Sequence, residues 1–138
     1  MADAPGTVSG GCLCGAVRYQ ARGDLDNVVH CHCSMCRRAS GAPVVTWVVL
    51  PRDGFAFTGA EPATYASSAH AVRRFCGRCG CAITFEDDRR PQQVDVTVGS
   101  LDDPEAAIPK RHIWTESRLN WLHLDEHLPS RPRDSDSA

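Results

Sequence analysis

Apolar residues occur in short runs separated by turn residues along most of the chain. The segment "AVRYQA" (Ala16–Ala21) alternates apolar and polar positions, as a half-buried strand does. The segment "PVVTWVVL" (Pro43–Leu50) is a nearly continuous run of β-branched and aromatic residues, which predicts a buried strand. Five further short segments also predict strands: "FAFTG", "ATYAS", "VRRF", "AITFE" and "VDVTVG". The pattern therefore predicts a mainly β domain.

Helical patterns are rare in this sequence. The segment "SMCRRAS" (Ser34–Ser40) predicts one or two helical turns, with Ser34 as the N-cap. Asp102–Ala107 predicts a second short turn. So little helix leaves the sheets without much to pack on. We expect one domain over residues 7–129, with flexible termini at 1–6 and 130–138.

Length and charge narrow the possible partners. The chain has 138 residues, of which 15 are basic and 17 acidic. A net charge of −2 without a basic stripe argues against nucleic acid as a ligand. No apolar run approaches the roughly 18–20 residues that span a bilayer, and "MADAPGTVSGG" has no apolar segment typical of a secretory signal. We therefore expect a cytoplasmic protein without nucleic-acid or membrane partners.

Eight cysteines are unusually many for such a chain, and they fall into three tight groups. Disulfides are rare in the cytosol, whereas closely spaced thiols suit one ion that needs several ligands near one point. The spacing therefore predicts metal binding rather than a disulfide framework. The groups are Cys12 and Cys14; Cys31, Cys33 and Cys36; and Cys76, Cys79 and Cys81.

The first and third groups together predict a structural zinc site. Cys76 and Cys79 form a C-x-x-C half-site, and Cys12 and Cys14 are the natural donors of two more thiolates. Closing the long loop between Cys12 and Cys76 costs chain entropy. A structural zinc, worth roughly 10–16 kcal/mol of apparent binding free energy, offsets that cost.

The middle group predicts a different kind of site. Cys31, Cys33 and Cys36 supply three ligands from one short segment. A fourth ligand has several candidate sources: Cys81, His32, a neighbouring chain, water or substrate. Structural zinc sites are closed, whereas catalytic ones keep a position open. Three local ligands therefore suggest an open site able to activate a thiol or water, or to polarise a carbonyl.

Four segments together resemble the glutathione-dependent formaldehyde-activating enzyme family, which includes centromere protein V. They are "GGCLCGAVRY", "CHCSMCRRASG", "FCGRCGCAITF" and "HIWTESRLNWLHLDEHLP". The resemblance implies a β-tent of short antiparallel strands with two zinc ions. One zinc would be structural, at Cys12, Cys14, Cys76 and Cys79. The other would be catalytic or substrate-responsive, at Cys31, Cys33 and Cys36.

The implied activity is that of a carbon–sulfur lyase that joins formaldehyde to glutathione, giving S-hydroxymethylglutathione. We therefore expect a zinc-dependent enzyme acting on a small thiol and an aldehyde, or on their adduct. The alternative is a non-catalytic zinc module that carries a thiol adduct or binds a protein partner. The short strands are compatible with a monomer or a homodimer.

Several further residues have both a structural and a functional interpretation. Arg37 and Arg38 follow the middle group and could pair with carboxylates of glutathione, although most surface arginines are simply solvated. Cys81 is a small buried thiol, the fourth ligand of the second zinc, or a thiol that competes with substrate, and we favour the buried thiol. The remaining candidates for the pocket, for which we favour structural roles, are His30, His32, His112, His123, Trp114, Trp121 and Glu116.

Overall fold

A computed structural model describes residues 6–134. Within this range the chain forms ten strands, one α-helix and three single-turn 3-10 helices. The strands are β1 (Thr7–Gly11), β2 (Arg18–Arg22), β3 (Val28–Cys31), β4 (Val45–Pro51), β5 (Ala56–Phe57), β6 (Ala63–Ala66), β7 (Ala71–Phe75), β8 (Ala82–Asp87), β9 (Gln93–Thr97) and β10 (Arg111–Ile113). The helices are α1 (Ser34–Ser40) and the 3-10 turns Val98–Ser100, Pro104–Ala106 and Thr115–Ser117. The mainly β prediction is confirmed.

The strands form two sheets. A three-stranded sheet has the order β1-β2-β5, and a seven-stranded sheet has the order β10-β3-β4-β9-β8-β7-β6. All the pairs are antiparallel except β10 with β3, which is parallel. The prediction of antiparallel strands is therefore correct for every pair except β10 with β3. It fails for β10, which reaches the edge of the sheet after a long connection rather than a hairpin turn.

Two clusters of buried side chains form the core. The larger one joins the two sheets through Tyr19, Leu50 and Ile83. The Tyr19 hydroxyl lies 2.8 Å from the Ser100 hydroxyl oxygen, so its buried polar end has a partner. The smaller cluster contains Trp47 and the thiols of Cys31 and Cys36 together with Val29, Val45 and Ile113. The middle cysteine group is therefore part of the smaller of the two buried clusters.

Most of the predicted elements are present. The seven predicted strands correspond to β2 and β4–β9, and α1 covers the predicted Ser34–Ser40. The predicted N-cap is wrong, because the cap of α1 is Cys33, whose Sγ accepts a hydrogen bond from the Cys36 backbone N–H at 3.3 Å. Three short strands were not predicted, namely β1, β3 and β10.

The predicted flexible termini lie mostly outside the described residues. Residues 130–134 are described, and several of them bond to the body of the domain. The Arg131 N–H donates to the His112 carbonyl at 3.0 Å, and the Glu116 N–H donates to the Pro132 carbonyl at 3.3 Å. Within residues 6–134, no helix is long and apolar enough to cross a membrane.

Candidate active site

Four cysteines from two distant parts of the chain converge at one point, which we call the first cluster: Cys12, Cys14, Cys76 and Cys79. Their sulfur atoms all lie within 4.8 Å of one another. The Cys12–Cys14 and Cys14–Cys76 sulfur distances are 3.6 and 3.7 Å. Four sulfurs bound to zinc at about 2.3 Å would be separated by about 3.8 Å in a tetrahedron. The first cluster therefore fits a tetrahedral metal site.

The backbone around the first cluster favours thiolates. The N–H groups of Arg78 and Cys79 point at the Cys76 sulfur at 3.3 and 3.4 Å. Burial by itself raises the pKa of Cys12, but the N–H of Val17 at 3.3 Å and the neighbouring thiols outweigh it and lower that pKa to about 6. Metal ligands must be deprotonated, and these donors stabilise the deprotonated form.

Three more cysteines converge in the second cluster: Cys31, Cys33 and Cys36. Cys31 ends β3, Cys33 caps α1 and Cys36 lies in the first turn of α1. Gly41 ends the helix with φ +73° and donates its N–H to the Arg37 carbonyl. The strand end and the short helix together bring three sulfurs within 4.8 Å of one another.

The second cluster also fits a metal ion. The Cys31 and Cys36 sulfurs are 3.5 Å apart, far more than the roughly 2.05 Å of a disulfide, and all eight cysteines are free. Sharing of protons with its two neighbours lowers the pKa of Cys33 to about 2, while Cys33 raises the pKa of Cys31. Three thiolates this close repel one another unless a cation lies between them. The prediction of metal clusters rather than disulfides is consistent with this geometry.

Neither protein candidate for a fourth ligand joins the second cluster. Cys81 packs beside the first cluster, in the larger core, and its sulfur points to the Ala82 carbonyl at 3.6 Å. The His32 ring turns to His112 instead, with Nε2 2.8 Å from Nδ1. Within residues 6–134, the second cluster contains three ligating side chains.

The second cluster opens onto a cavity of about 300 Å³, which we call the charged cavity. Its walls are apolar near the sulfurs, where they include Trp47, Phe85 and Trp114. Trp114 has φ +57°, an uncommon conformation for a bulky residue and one often found at functional sites. Charged residues line the rest of the charged cavity: Arg73, Arg89, Arg90, Arg111, Asp87, Asp95 and Asp134.

Arg73 connects these charges to the second cluster. Its two terminal nitrogens lie 3.8 and 3.7 Å from the Cys36 sulfur. The guanidinium lies 4.8 Å from the ring centroid of Phe85, its cross-strand neighbour on β8. A cation fixed at this distance favours the thiolate form of Cys36.

Asp95 is the most perturbed carboxylate of the charged cavity. Burial raises its pKa to about 6, although Arg90 opposes the shift from 3.4 Å away. The side chains of Arg90 and Asp87 also form local pairs, with Gln93 at 2.9 Å and with Arg89 at 2.7 Å. The charged cavity thus offers both charge signs, and Arg73 is the residue among them with a contact to a sulfur.

Arg37 and Arg38, the two arginines that the sequence offered as candidate partners of carboxylates, do not line the charged cavity. Arg37 Nη1 donates to the carbonyls of His32 and Ser117, at 3.3 and 2.9 Å, and Arg38 is exposed. Arg73, Arg89, Arg90, Arg111 and Asp95 were missed. Arg73 and Asp95 stand at the polar positions of the strand patterns "VRRF" and "VDVTVG", so those patterns carried no signal that singled them out.

The remaining sequence candidates are mostly structural. His30 bonds to Thr46 and Asp125, each at 2.8 Å, and His112 Nε2 lies 2.9 Å from the Asp125 carbonyl oxygen. His123 and Glu116 form surface pairs with Glu126 and Arg133. Trp121 is 66% exposed and therefore does not belong to the core. Among these candidates, only Trp114 lines the charged cavity.

The sequence matches the family model of the glutathione-dependent formaldehyde-activating enzymes over residues 7–117. The chain belongs to this family. It is 30% identical over 76 residues to a Schizosaccharomyces pombe protein named an uncharacterized lyase. That alignment covers 55% of this chain and 55% of the relative, so the chain spans about half the length of the curated relative it matches.

A solved structure shares the fold. The crystal structure of a Rhodobacter sphaeroides protein superposes with a TM-score of 0.58 at 19% identity. The match covers 88% of this chain and 98% of that one. The two cysteine clusters therefore lie in a fold that this solved structure also has.

Proposed function

We propose that this protein is a zinc-dependent carbon–sulfur lyase that joins a small glutathione-like thiol to an aldehyde, or acts on their adduct. The observation that carries this proposal is the second cluster. Its three sulfurs border the charged cavity, and residues 6–134 add no fourth ligating side chain. Family membership supports the same activity.

The two clusters would have different tasks. Cys12, Cys14, Cys76 and Cys79 would hold a structural zinc, and Cys31, Cys33 and Cys36 a second zinc. At an open position, zinc lowers the pKa of a bound thiol or polarises a carbonyl. Together the clusters and sheets would make residues 7–129 one zinc-binding domain of a cytoplasmic protein, as a monomer or homodimer.

The charged cavity suits a glutathione-like thiol. Glutathione carries two carboxylates and one ammonium group. Arg89, Arg90 and Arg111 line this cavity, and to bind the carboxylates in a bidentate manner they would exchange contacts they now make with Asp87, Asp95 and Asn27. Asp95 is placed to accept the ammonium group once the carboxyl is ionised. The thiol sulfur would then lie at the apolar end, next to the second cluster.

Arg73 would act on the reacting atoms. In the addition, the thiol sulfur forms a bond to the carbonyl carbon, and the carbonyl π electrons move to oxygen. The thiol proton ends on that oxygen, so the product is a hemithioacetal and no other reactant is needed. The Arg73 guanidinium beside Cys36 is the nearest fixed cation that would stabilise the negative charge developing on the oxygen.

The alternative hypothesis, a non-catalytic zinc module, requires that Cys81 or a partner chain supplies the fourth ligand of the second cluster. Cys81 lies beside the first cluster, in the larger core. The module hypothesis therefore loses the fourth ligand that one chain could have supplied. The enzyme proposal is tested by two-dimensional exchange NMR of glutathione with formaldehyde. We expect the protein to accelerate exchange between glutathione and S-hydroxymethylglutathione, and Cys33→Ser to abolish the acceleration. Exchange at the uncatalysed rate with zinc-loaded protein would refute the enzyme and favour the binding module.

A further inference from the structure

A second cavity adjoins the charged cavity at the second cluster. It has a volume of about 380 Å³, and we call it the apolar cavity. Cys36, Trp47 and Arg73 line both cavities. A molecule reacting next to Cys36 therefore has two directions in which to extend.

The walls of the two cavities differ in chemistry. The carbon-lined part of the apolar cavity is formed by Ala39, Val45, Trp47, Phe75 and Ala82, and its uncharged polar residues are Ser40, Thr64, Tyr65 and Thr84. No aspartate or glutamate from residues 6–134 lines it, whereas three aspartates line the charged cavity.

The cations of the apolar cavity are already engaged. Arg74 is paired with Glu86 at 3.0 Å, and Arg73 faces the Cys36 sulfur. The apolar cavity therefore offers little to a charged ligand and much to a hydrocarbon chain.

We propose that the apolar cavity binds the carbon chain of the aldehyde, so that the substrates include straight-chain aldehydes of several carbons. This inference rests on the proposed function, because it assigns the charged cavity to the thiol. When the carbonyl carbon of an aldehyde lies next to Cys36, the rest of its carbon chain must extend away from the reaction centre. The apolar cavity shares Cys36, Trp47 and Arg73 with the charged cavity, so it borders that centre, and it has the matching surface.

The chemistry is the same addition as for formaldehyde. The sulfur–carbon bond forms, the carbonyl oxygen receives the thiol proton, and the chain beyond the carbonyl carbon takes no part. Formaldehyde has no such chain and leaves the apolar cavity without an occupant. Each methylene moved from water into an apolar site contributes about fourfold in affinity.

The test is kcat/KM with glutathione and a series of aldehydes, measured by exchange NMR on the full-length zinc-loaded protein. Propanal and hexanal have similar intrinsic reactivity and differ by three methylene groups. We expect hexanal to exceed propanal by about tenfold or more. Ala39→Leu, at an exposed position of α1 that lines the apolar cavity, should reduce this ratio about fivefold or more. Leucine has a high helix propensity, so the helix should tolerate it.

Ala60→Leu is the matched control, because Ala60 is exposed and is not among the residues lining either cavity. It should leave the hexanal-to-propanal ratio as in the parent protein. Formaldehyde turnover with a ratio near one would overturn the apolar subsite and leave the proposed function standing. A high ratio that Ala39→Leu does not reduce would also overturn it. Absence of turnover with every aldehyde, formaldehyde included, would overturn both proposals.

Discussion

The first and second clusters use the same side chain in two different ways. The first gathers four sulfurs from segments more than sixty residues apart in the chain, and backbone N–H groups surround it. The second takes three sulfurs from six consecutive residues and faces the charged cavity, with Arg73 beside it. What distinguishes them is the origin of the sulfurs: a metal at the first cluster would join two distant segments, whereas a metal at the second cluster would keep one side facing the charged cavity.

The largest effect is expected at the first cluster. Replacing Cys76 with Ser removes a ligand that joins the two distant segments, and a structural zinc is worth roughly 10–16 kcal/mol. We expect loss of the cooperative thermal transition in circular dichroism, together with loss of bound zinc. A Cys76→Ser protein that melts like its parent would show that this cluster does not hold the fold together.

Cys33→Ser should separate activity from folding. Cys33 lies in the same short segment as Cys31 and Cys36. Its loss therefore does not release a long loop of the chain. We expect one zinc fewer per chain by atomic emission, a melting temperature lowered by only a few degrees, and no detectable turnover. Unfolding as complete as that of Cys76→Ser would erase the distinction between the clusters.

Arg73→Met should weaken catalysis without removing the metal. Methionine keeps the unbranched aliphatic part of the side chain but lacks the guanidinium that lies over Phe85 and next to Cys36. We expect kcat to fall about 10- to 100-fold with unchanged zinc content. Arg22→Met, at an exposed end of β2, is the control and should retain full activity. If the Arg73→Met protein loses zinc, the result would show instead that Arg73 helps the second cluster to hold its metal.

Asp95→Asn should give a smaller, pH-dependent gain in stability. Burial raises the Asp95 pKa to about 6, so the folded state binds more protons than the unfolded state between about pH 4 and 6. Stability attributable to this group therefore falls as pH rises through that window and stays lower above it. We expect Asp95→Asn to stabilise the protein by about 1–2 kcal/mol at pH 7.5 and by almost nothing at pH 4. Urea unfolding at the two pH values measures this, and an equal effect at both would contradict it.

The sequence predicted best what depends on neighbouring residues. The C-x-C and C-x-x-C spacings are local, and each group of cysteines is close in space as expected. The positions of α1 and of seven strands followed from patterns within each segment. The parallel strand β10 was missed because three residues with one charge carry almost no pattern, and its pairing with β3 is a long-range event.

The charged cavity could not be predicted for the same reason. Arg73 reaches Cys36 only because β7, β8 and α1 pack around it, and no local spacing records that contact. Arg37 follows Cys36 directly, yet its position on α1 turns it towards Ser117. Cys81 is close in sequence to ligands of the first cluster and stays near them, which the spacing left open.

Cadmium NMR of the cadmium-substituted protein, with and without millimolar glutathione, tests the difference between the clusters most directly. We predict two cadmium ions per chain and two resonances. One should have the shift of four thiolates and ignore glutathione. The other should have the shift of three thiolates with a lighter ligand, and should move to a four-thiolate shift when glutathione is added. Two four-thiolate resonances that both ignore glutathione would contradict the account.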